Sequence, residues 1–117
     1  MKSAADLNFD TIKHFSKSEF PEGALERLDP AFVVALSGFR ERLGRRVYPG
    51  ERLDNFVRTD GSQSSRHFAA GRHSDAGDVF AEGDIRDAFL AAVAGPWGGI
   101  GVYFDTSGPN GHPWCMM

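Results

Sequence analysis

The residues best suited to chemistry lie close together, in the stretch 64–80. Two histidines, two aspartates, two glycines and three serines fall within these seventeen residues. A histidine on a loop followed by an aspartate at the start of a strand forms the first half of a metal site. Nitrogen and carboxylate ligands suit zinc, and a catalytic zinc needs three protein ligands and an open position. The sequence therefore predicts two of three zinc ligands here, His67 and Asp75, with the third contributed from elsewhere.

The local pattern indicates how this stretch would position its ligands. Gly71 allows the backbone to turn between His67 and Asp75, and Asp75–Phe80 has the pattern of a strand. Alternation along that strand would point Asp75 at His67. Asp75 and Asp78 are an odd number of residues apart, so on a regular strand they face opposite sides. We therefore predict that Asp78 satisfies backbone amides or faces solvent instead of joining the metal site.

Two helices are predicted to support the stretch. Asp29 is the N-cap of the first, which covers roughly 30–43, has a proline at its first position and ends at Gly44. The second covers about 84–94 and begins with Asp84. The first helix has an apolar face at helical spacing, which consists of Phe32, Val33, Leu36, Phe39 and Leu43.

The remaining elements are predicted to be strands. Residues 45–48 form a short one, and residues 98–104 form a glycine-rich one. A Gly-Pro-Asn-Gly turn then leads into a returning strand over 112–117, which completes a hairpin. We expect an α+β domain in which two main helices pack on a small, mostly antiparallel sheet with a cleft on one face.

Length and composition limit the class of protein. The 117 residues suit one domain, and a formal net charge of −3 gives no electrostatic support to nucleic-acid or anionic-membrane binding. The single cysteine, Cys115, excludes an intrachain disulfide. No apolar run approaches bilayer-spanning length, and the N-terminus lacks the apolar core of a signal peptide. We therefore expect no nucleic-acid partner, no membrane span and a chain that is cytoplasmic as synthesised.

Three segments resemble one family of enzymes. Ser65–Asp75 (SRHFAAGRHSD) resembles the Ser-x-His-x-x-Gly-x-Ala-x-Asp signature of D-alanyl-D-alanine carboxypeptidase-type zinc peptidases. These include phage endolysins that cut peptidoglycan, and they share the hedgehog/DD-peptidase fold. Residues 14–20 (HFSKSEF) resemble the family's early His/Asn-Phe-Ser-x-x-Glu-Phe segment, and residues 98–103 (GGIGVY) resemble its Gly-Gly-Ile-Gly-x-Tyr strand. The segments occur in the expected order and cover most of the chain.

The resemblance implies a site and a reaction. His67 and Asp75 would be the first two zinc ligands, Ser65 a hydrogen-bond donor to the substrate, and Arg58 the group that grips a substrate carboxylate bidentately. Arg58 is otherwise a solvated or ion-paired arginine. The reaction would be hydrolysis of an amide bond in a peptidoglycan stem peptide, with zinc lowering the pKa of bound water and polarising the carbonyl. The protein would be of phage or prophage origin and would reach the cell wall through the phage lysis machinery.

The chain departs from the family pattern in ways that leave the third ligand open. Three residues instead of two separate His67 from the next glycine, and His73 stands where the family has a small or apolar residue. The family's third ligand is a histidine on the strand after the Gly-Gly-Ile-Gly strand, and this chain ends at Met117, about where that histidine would follow. We therefore expect residues 1–117 to be a single peptidase-like domain that is incomplete at its C-terminus and binds zinc weakly or not at all.

Three interpretations of the third ligand follow. The chain is a truncated copy, or a natural degenerate relative without metal, or a rearranged site in which His112 or His73 is the third ligand. His112 is also the candidate catalytic residue, since no acid lies among the last residues. Two other classes of function stay open: a non-catalytic module of the same fold that binds the cell wall or serves in a phage particle, and an assembly domain whose last strand pairs with another chain.

Overall fold

The structure is a computed structural model. The residues that it describes are 3–50, 52–56, 73–97, 101–107 and 113–116. For residue 54 and for the last two ranges, only the backbone is described. Within these ranges, two α-helices and four β-strands form the regular structure, together with short 3-10 turns.

Helix α1 spans Pro30–Leu43, as the sequence predicts. The Asp29 carboxylate accepts a hydrogen bond from the Ala31 N–H over 2.8 Å, which satisfies one of the amides left free at a helix N-terminus. Gly44 has a φ of 70°, a left-handed conformation that glycine adopts without steric cost. Its N–H donates to the Arg40 carbonyl over 3.0 Å. Both ends of α1 are therefore fixed by residues that adjoin it in the sequence.

Helix α2 spans Ile85–Val93, one residue shorter at each end than predicted. The Asp84 carboxylate accepts the Arg86 N–H over 2.9 Å and pairs with the Arg86 guanidinium over 2.7 Å. The hydrogen bonds from Arg86 lower the pKa of Asp84 from 3.8 to about 2. Arg45, just after α1, pairs with Asp87 over 2.7 Å. The start of α2 is therefore held by exposed charges.

The four strands are β1 (Val47–Tyr48), β2 (Asp78–Ala81), β3 (Gly101–Ser107) and β4 (Pro113–Met116). They form one sheet in the spatial order β1-β2-β4-β3. Every neighbouring pair is antiparallel. The predicted α+β class, with two helices and a small antiparallel sheet, is therefore confirmed.

The predicted pairing of the two C-terminal strands is also confirmed, although β3 runs to Ser107, three residues beyond the predicted end, and the turn between the strands lies outside the described residues. Strand β3 pairs with β4, with Tyr103 opposite Trp114. Strand β4 pairs on its other side with β2, where Met116 lies opposite Asp78. Both edges of β4 are therefore occupied over Trp114–Met116, and the outer strands of the described sheet are β1 and β3. Over these residues β4 therefore has no free edge at which another chain could pair.

An aromatic cluster forms the part of the core next to the candidate site. The ring centroids of Phe20 and Phe15 are 5.4 Å apart, and those of Phe20 and Phe56 are 5.9 Å apart. Phe56 also meets Phe32 of α1, with centroids 6.3 Å apart. Four of the five residues of the predicted apolar face of α1 are buried, and Leu43 is half-buried. Because aromatic rings bury much apolar area, this cluster joins the N-terminal segment to α1.

Candidate functional site

Asp75 lies in an irregular segment before β2. The sequence predicts a strand over Asp75–Phe80, but β2 starts at Asp78, so the prediction is wrong for residues 75–77. The cause lies at Ser74, whose backbone forms an isolated parallel bridge with Leu28. The alternation of side chains would place Asp75 and Asp78 on opposite faces only if one regular strand ran through both residues. Because no such strand is present, the alternation does not decide which way either side chain points.

Backbone hydrogen bonds attach Ser74 to the residues just before α1. The Ser74 N–H donates to the Arg27 carbonyl over 2.8 Å, and the Ser74 carbonyl accepts the Asp29 N–H over 2.7 Å. Asp29 is also the N-cap of α1. The start of the main helix and the segment that carries Asp75 are therefore positioned by the same residue.

The Ser74 side chain adds a second, buried attachment. Ser74 is fully buried, and its hydroxyl donates to the Phe56 carbonyl over 2.6 Å. The hydroxyl oxygen also accepts the Ala76 N–H over 3.4 Å, which is the local turn that serine favours. Sequence reasoning missed Ser74. The local turn gives a weak signal in the sequence, but the bond to Phe56 spans 18 residues and gives none.

Gly77 is required by close packing at the next turn of this segment. A Cβ atom on Gly77 would lie 2.6 Å from two ring carbons of Phe56 and 2.9 Å from the Phe32 ring. Both rings are buried, so neither can move aside easily. The backbone between Asp75 and Asp78 therefore runs directly against the aromatic cluster, and only glycine leaves room for it.

Asp78 is the first residue of β2 and is 7% exposed. Of the two roles predicted for Asp78, exposure to solvent is therefore wrong, and the satisfaction of backbone amides stays a prediction. A carboxylate with so little exposure is typical of a metal ligand or of a hydrogen-bonded structural residue. Asp75, by contrast, is half-buried. The two carboxylates lie three positions apart in a segment held in place by Ser74 and Gly77.

Of the other predicted site residues, the structure describes only His73. His73 is half-buried and lies two residues before Asp75. The remaining candidates lie outside the described residues, so their positions stay predictions: Arg58, Ser65, His67 and His112. The sharing of one cleft by His67 and Asp75 therefore also stays a prediction.

The donors near β2 fit part of a zinc site. Carboxylate oxygen and imidazole nitrogen are zinc ligands, and Asp75, Asp78 and His73 supply both types within one short segment. Among the residues that the structure describes, no three histidine, cysteine, aspartate or glutamate side chains are grouped closely enough to hold a metal ion. A three-ligand site therefore needs His67 or another residue outside the described ranges.

Comparisons with known proteins add no relative to this description. No family model matches the chain, and neither the curated proteins nor the solved structures give a match. The resemblance to zinc peptidases therefore depends on the residues of the three segments themselves. In the part of the chain that the structure describes, no helix is long and apolar enough to cross a membrane.

Proposed function

We propose that this chain is a peptidase-like domain of the D-alanyl-D-alanine carboxypeptidase type, with a hedgehog/DD-peptidase-like fold, that hydrolyses an amide bond in peptidoglycan stem peptides. Zinc, when bound, supplies Lewis-acid activation of water and of the scissile carbonyl. His67 and a carboxylate near β2 hold the metal, Ser65 donates a hydrogen bond to the peptide and Arg58 binds its carboxylate. The protein acts on the cell wall after release by phage lysis machinery.

One observation supports this proposal most. Strand β4 pairs with β2 so that Met116 lies opposite Asp78. Because the strands are antiparallel, β4 runs toward the residues that precede β2, which include Asp75. A residue that follows Met117 would therefore pass beside the two carboxylates, where the resemblance requires the third ligand. The sheet order and this register are what a three-ligand site at the start of β2 needs.

The carboxylate ligand has two candidates. The resemblance implies Asp75, which matches the signature position. The geometry favours Asp78, because it starts a strand, lies opposite Met116 and is the more buried of the two. Metal ligands are usually held rigidly by their surroundings, and a residue fixed in a sheet meets that condition better than one in an irregular segment.

A metal-binding experiment on four proteins tests the proposal. The parent chain is compared with a chain extended after Met117 by His-x-Asp, the sequence that often surrounds the third ligand in the family that this chain resembles. Two further extended chains carry Asp75→Asn or Asp78→Asn. Calorimetry with zinc should show weak or no binding by the parent and one site on the extended chain. The asparagine variant that loses binding identifies the ligand, because asparagine keeps the shape of aspartate but not its charge.

Activity is measured on the same proteins with isolated peptidoglycan stem peptides. The extended chain should release product, and His67→Ala in that chain should abolish both zinc binding and hydrolysis. If the extended chain takes up no zinc, the proposal fails, and the domain is a non-catalytic module of the same class. Circular dichroism spectra of all variants should match, which excludes loss of fold as the cause.

A further inference from the structure

A groove lies between the segment 18–22 and residues 46–50, which include β1. Its volume is about 480 Å³, within the roughly 300–1,000 Å³ of sites that hold small ligands. Phe20, Pro21 and Pro49 give it apolar walls. Two of these residues are prolines, whose fixed φ stiffens the backbone around the groove.

Arg46 brings a positive charge to the groove. Its guanidinium lies over the Tyr48 ring, 4.9 Å from the ring centroid, and both residues line the groove. Stacking on an aromatic ring orients a planar guanidinium and leaves its N–H groups available for a carboxylate. Among the side chains that the structure describes, no carboxylate lies within 4.0 Å of Arg46. The Arg46 guanidinium is therefore oriented by Tyr48 but has no carboxylate partner among the described side chains.

Glu22 brings a negative charge to the same groove. It is exposed, and among the residues described it has no cation within 4.0 Å. Glu19, which also lines the groove, differs: it pairs with Arg40 over 3.2 Å and accepts the Ser16 N–H over 2.8 Å. Glu19 is therefore committed to the fold, and Glu22 is the carboxylate that remains for a ligand.

We propose that this groove binds a short peptide with both ends free, whose carboxylate is held by Arg46 and whose ammonium is held by Glu22. An arginine binds a carboxylate through two parallel N–H···O bonds, which are strong because both groups are charged. Arg46 and Glu22 do not pair with each other within 4.0 Å, so a ligand that carries both charges can contact both. The apolar walls contact the body of the peptide. The groove uses none of the residues proposed for the zinc site, and its binding of a peptide does not require zinc.

The test is titration of the full chain with trialanine in metal-free buffer, followed by NMR chemical shifts and by calorimetry. Trialanine should bind at one site. Its C-terminal amide and its N-acetyl form should each bind about tenfold more weakly, because each loses hydrogen bonds to a charged group. Arg46→Gln should weaken trialanine binding to a similar extent and abolish the difference between trialanine and its amide. Glu22→Gln should do the same for the N-acetyl form.

Two variants outside the groove serve as matched controls. Arg45→Gln and Glu26→Gln change the net charge by the same amounts, at residues that do not line the groove. Both should bind trialanine as the parent does. Absence of saturable trialanine binding, an equal loss in the control variants, or equally tight binding of glycine would each overturn the proposal. Because no metal is present, these outcomes are independent of the zinc experiment.

Discussion

Ser74 and Asp84 are both short polar side chains that bind the backbone, but they do so in opposite surroundings. Ser74 is fully buried and donates to the Phe56 carbonyl over 2.6 Å, a bond that spans 18 residues. Asp84 is exposed and accepts the Arg86 N–H over 2.9 Å, only two residues away. Water can replace the partners of Asp84 but cannot reach those of Ser74. Loss of the hydrogen bond should therefore lower the free energy of unfolding more at Ser74 than at Asp84.

The largest effect should come from filling the space beside the buried segment. Gly77→Ala places a methyl group 2.6 Å from the Phe56 ring, and overpacking of this kind costs about 1–3 kcal/mol of unfolding free energy. We expect the upper part of that range, because the ring of Phe32 also lies only 2.9 Å from the added methyl group. Urea unfolding followed by circular dichroism measures the change.

Gly38→Ala is the control for that substitution. Gly38 lies inside α1, and its nearest contact for an added Cβ is the flexible end of Arg42 at 3.3 Å. Because alanine favours a helix interior, this variant should be more stable than the parent by about 0.5–1 kcal/mol. Equal effects of the two substitutions would contradict the close packing at Gly77.

A smaller loss of unfolding free energy is expected when the buried hydroxyl of Ser74 is removed. Ser74→Ala deletes the bond to Phe56 and leaves a buried carbonyl without this donor, which costs about 1–3 kcal/mol. Ser37→Ala is the control, since Ser37 is also buried but its hydroxyl makes no hydrogen bond among the described residues. Unfolding measurements that give the two alanine variants the same stability would show that Ser74 is not an anchor.

The elements that the sequence predicts well are those fixed by neighbours in the chain. Helix α1 was placed correctly because Asp29 and Gly44 are local signals, and α2 was placed to within one residue because Asp84 is another. The C-terminal hairpin follows from a turn flanked by two strand patterns. At the caps of both helices, the capping residue bonds to a residue within four positions of it.

The elements that the sequence predicts wrongly are those fixed by contacts with residues far away in the chain. The strand over Asp75–Phe80 was predicted three residues too long because Ser74 bonds to Arg27 and Asp29, more than 40 positions away in the chain. The insertion of β4 between β2 and β3 also depends on distant pairing. The predicted site was affected directly, since the start of β2 decides whether Asp75 or Asp78 lies in the sheet. Tertiary contacts of this kind leave no periodic signal in the sequence.

The smallest effect should be found at Asp84 and should depend on pH. Hydrogen bonds from Arg86 lower the pKa of Asp84 in the folded protein from 3.8 to about 2. A lowered folded-state pKa stabilises the protein above the unfolded pKa, near 4, and this contribution disappears as the pH falls through about 2.

Asp84→Asn keeps an oxygen that caps α2 but removes the titrating charge. The parent should therefore exceed this variant in melting temperature at neutral pH, and the difference should shrink between pH 4 and pH 2. Glu26→Gln, at an exposed carboxylate without an ion pair among the described residues, controls for the loss of one negative charge. A difference that stays constant with pH would mean that Asp84 acts only as a helix cap.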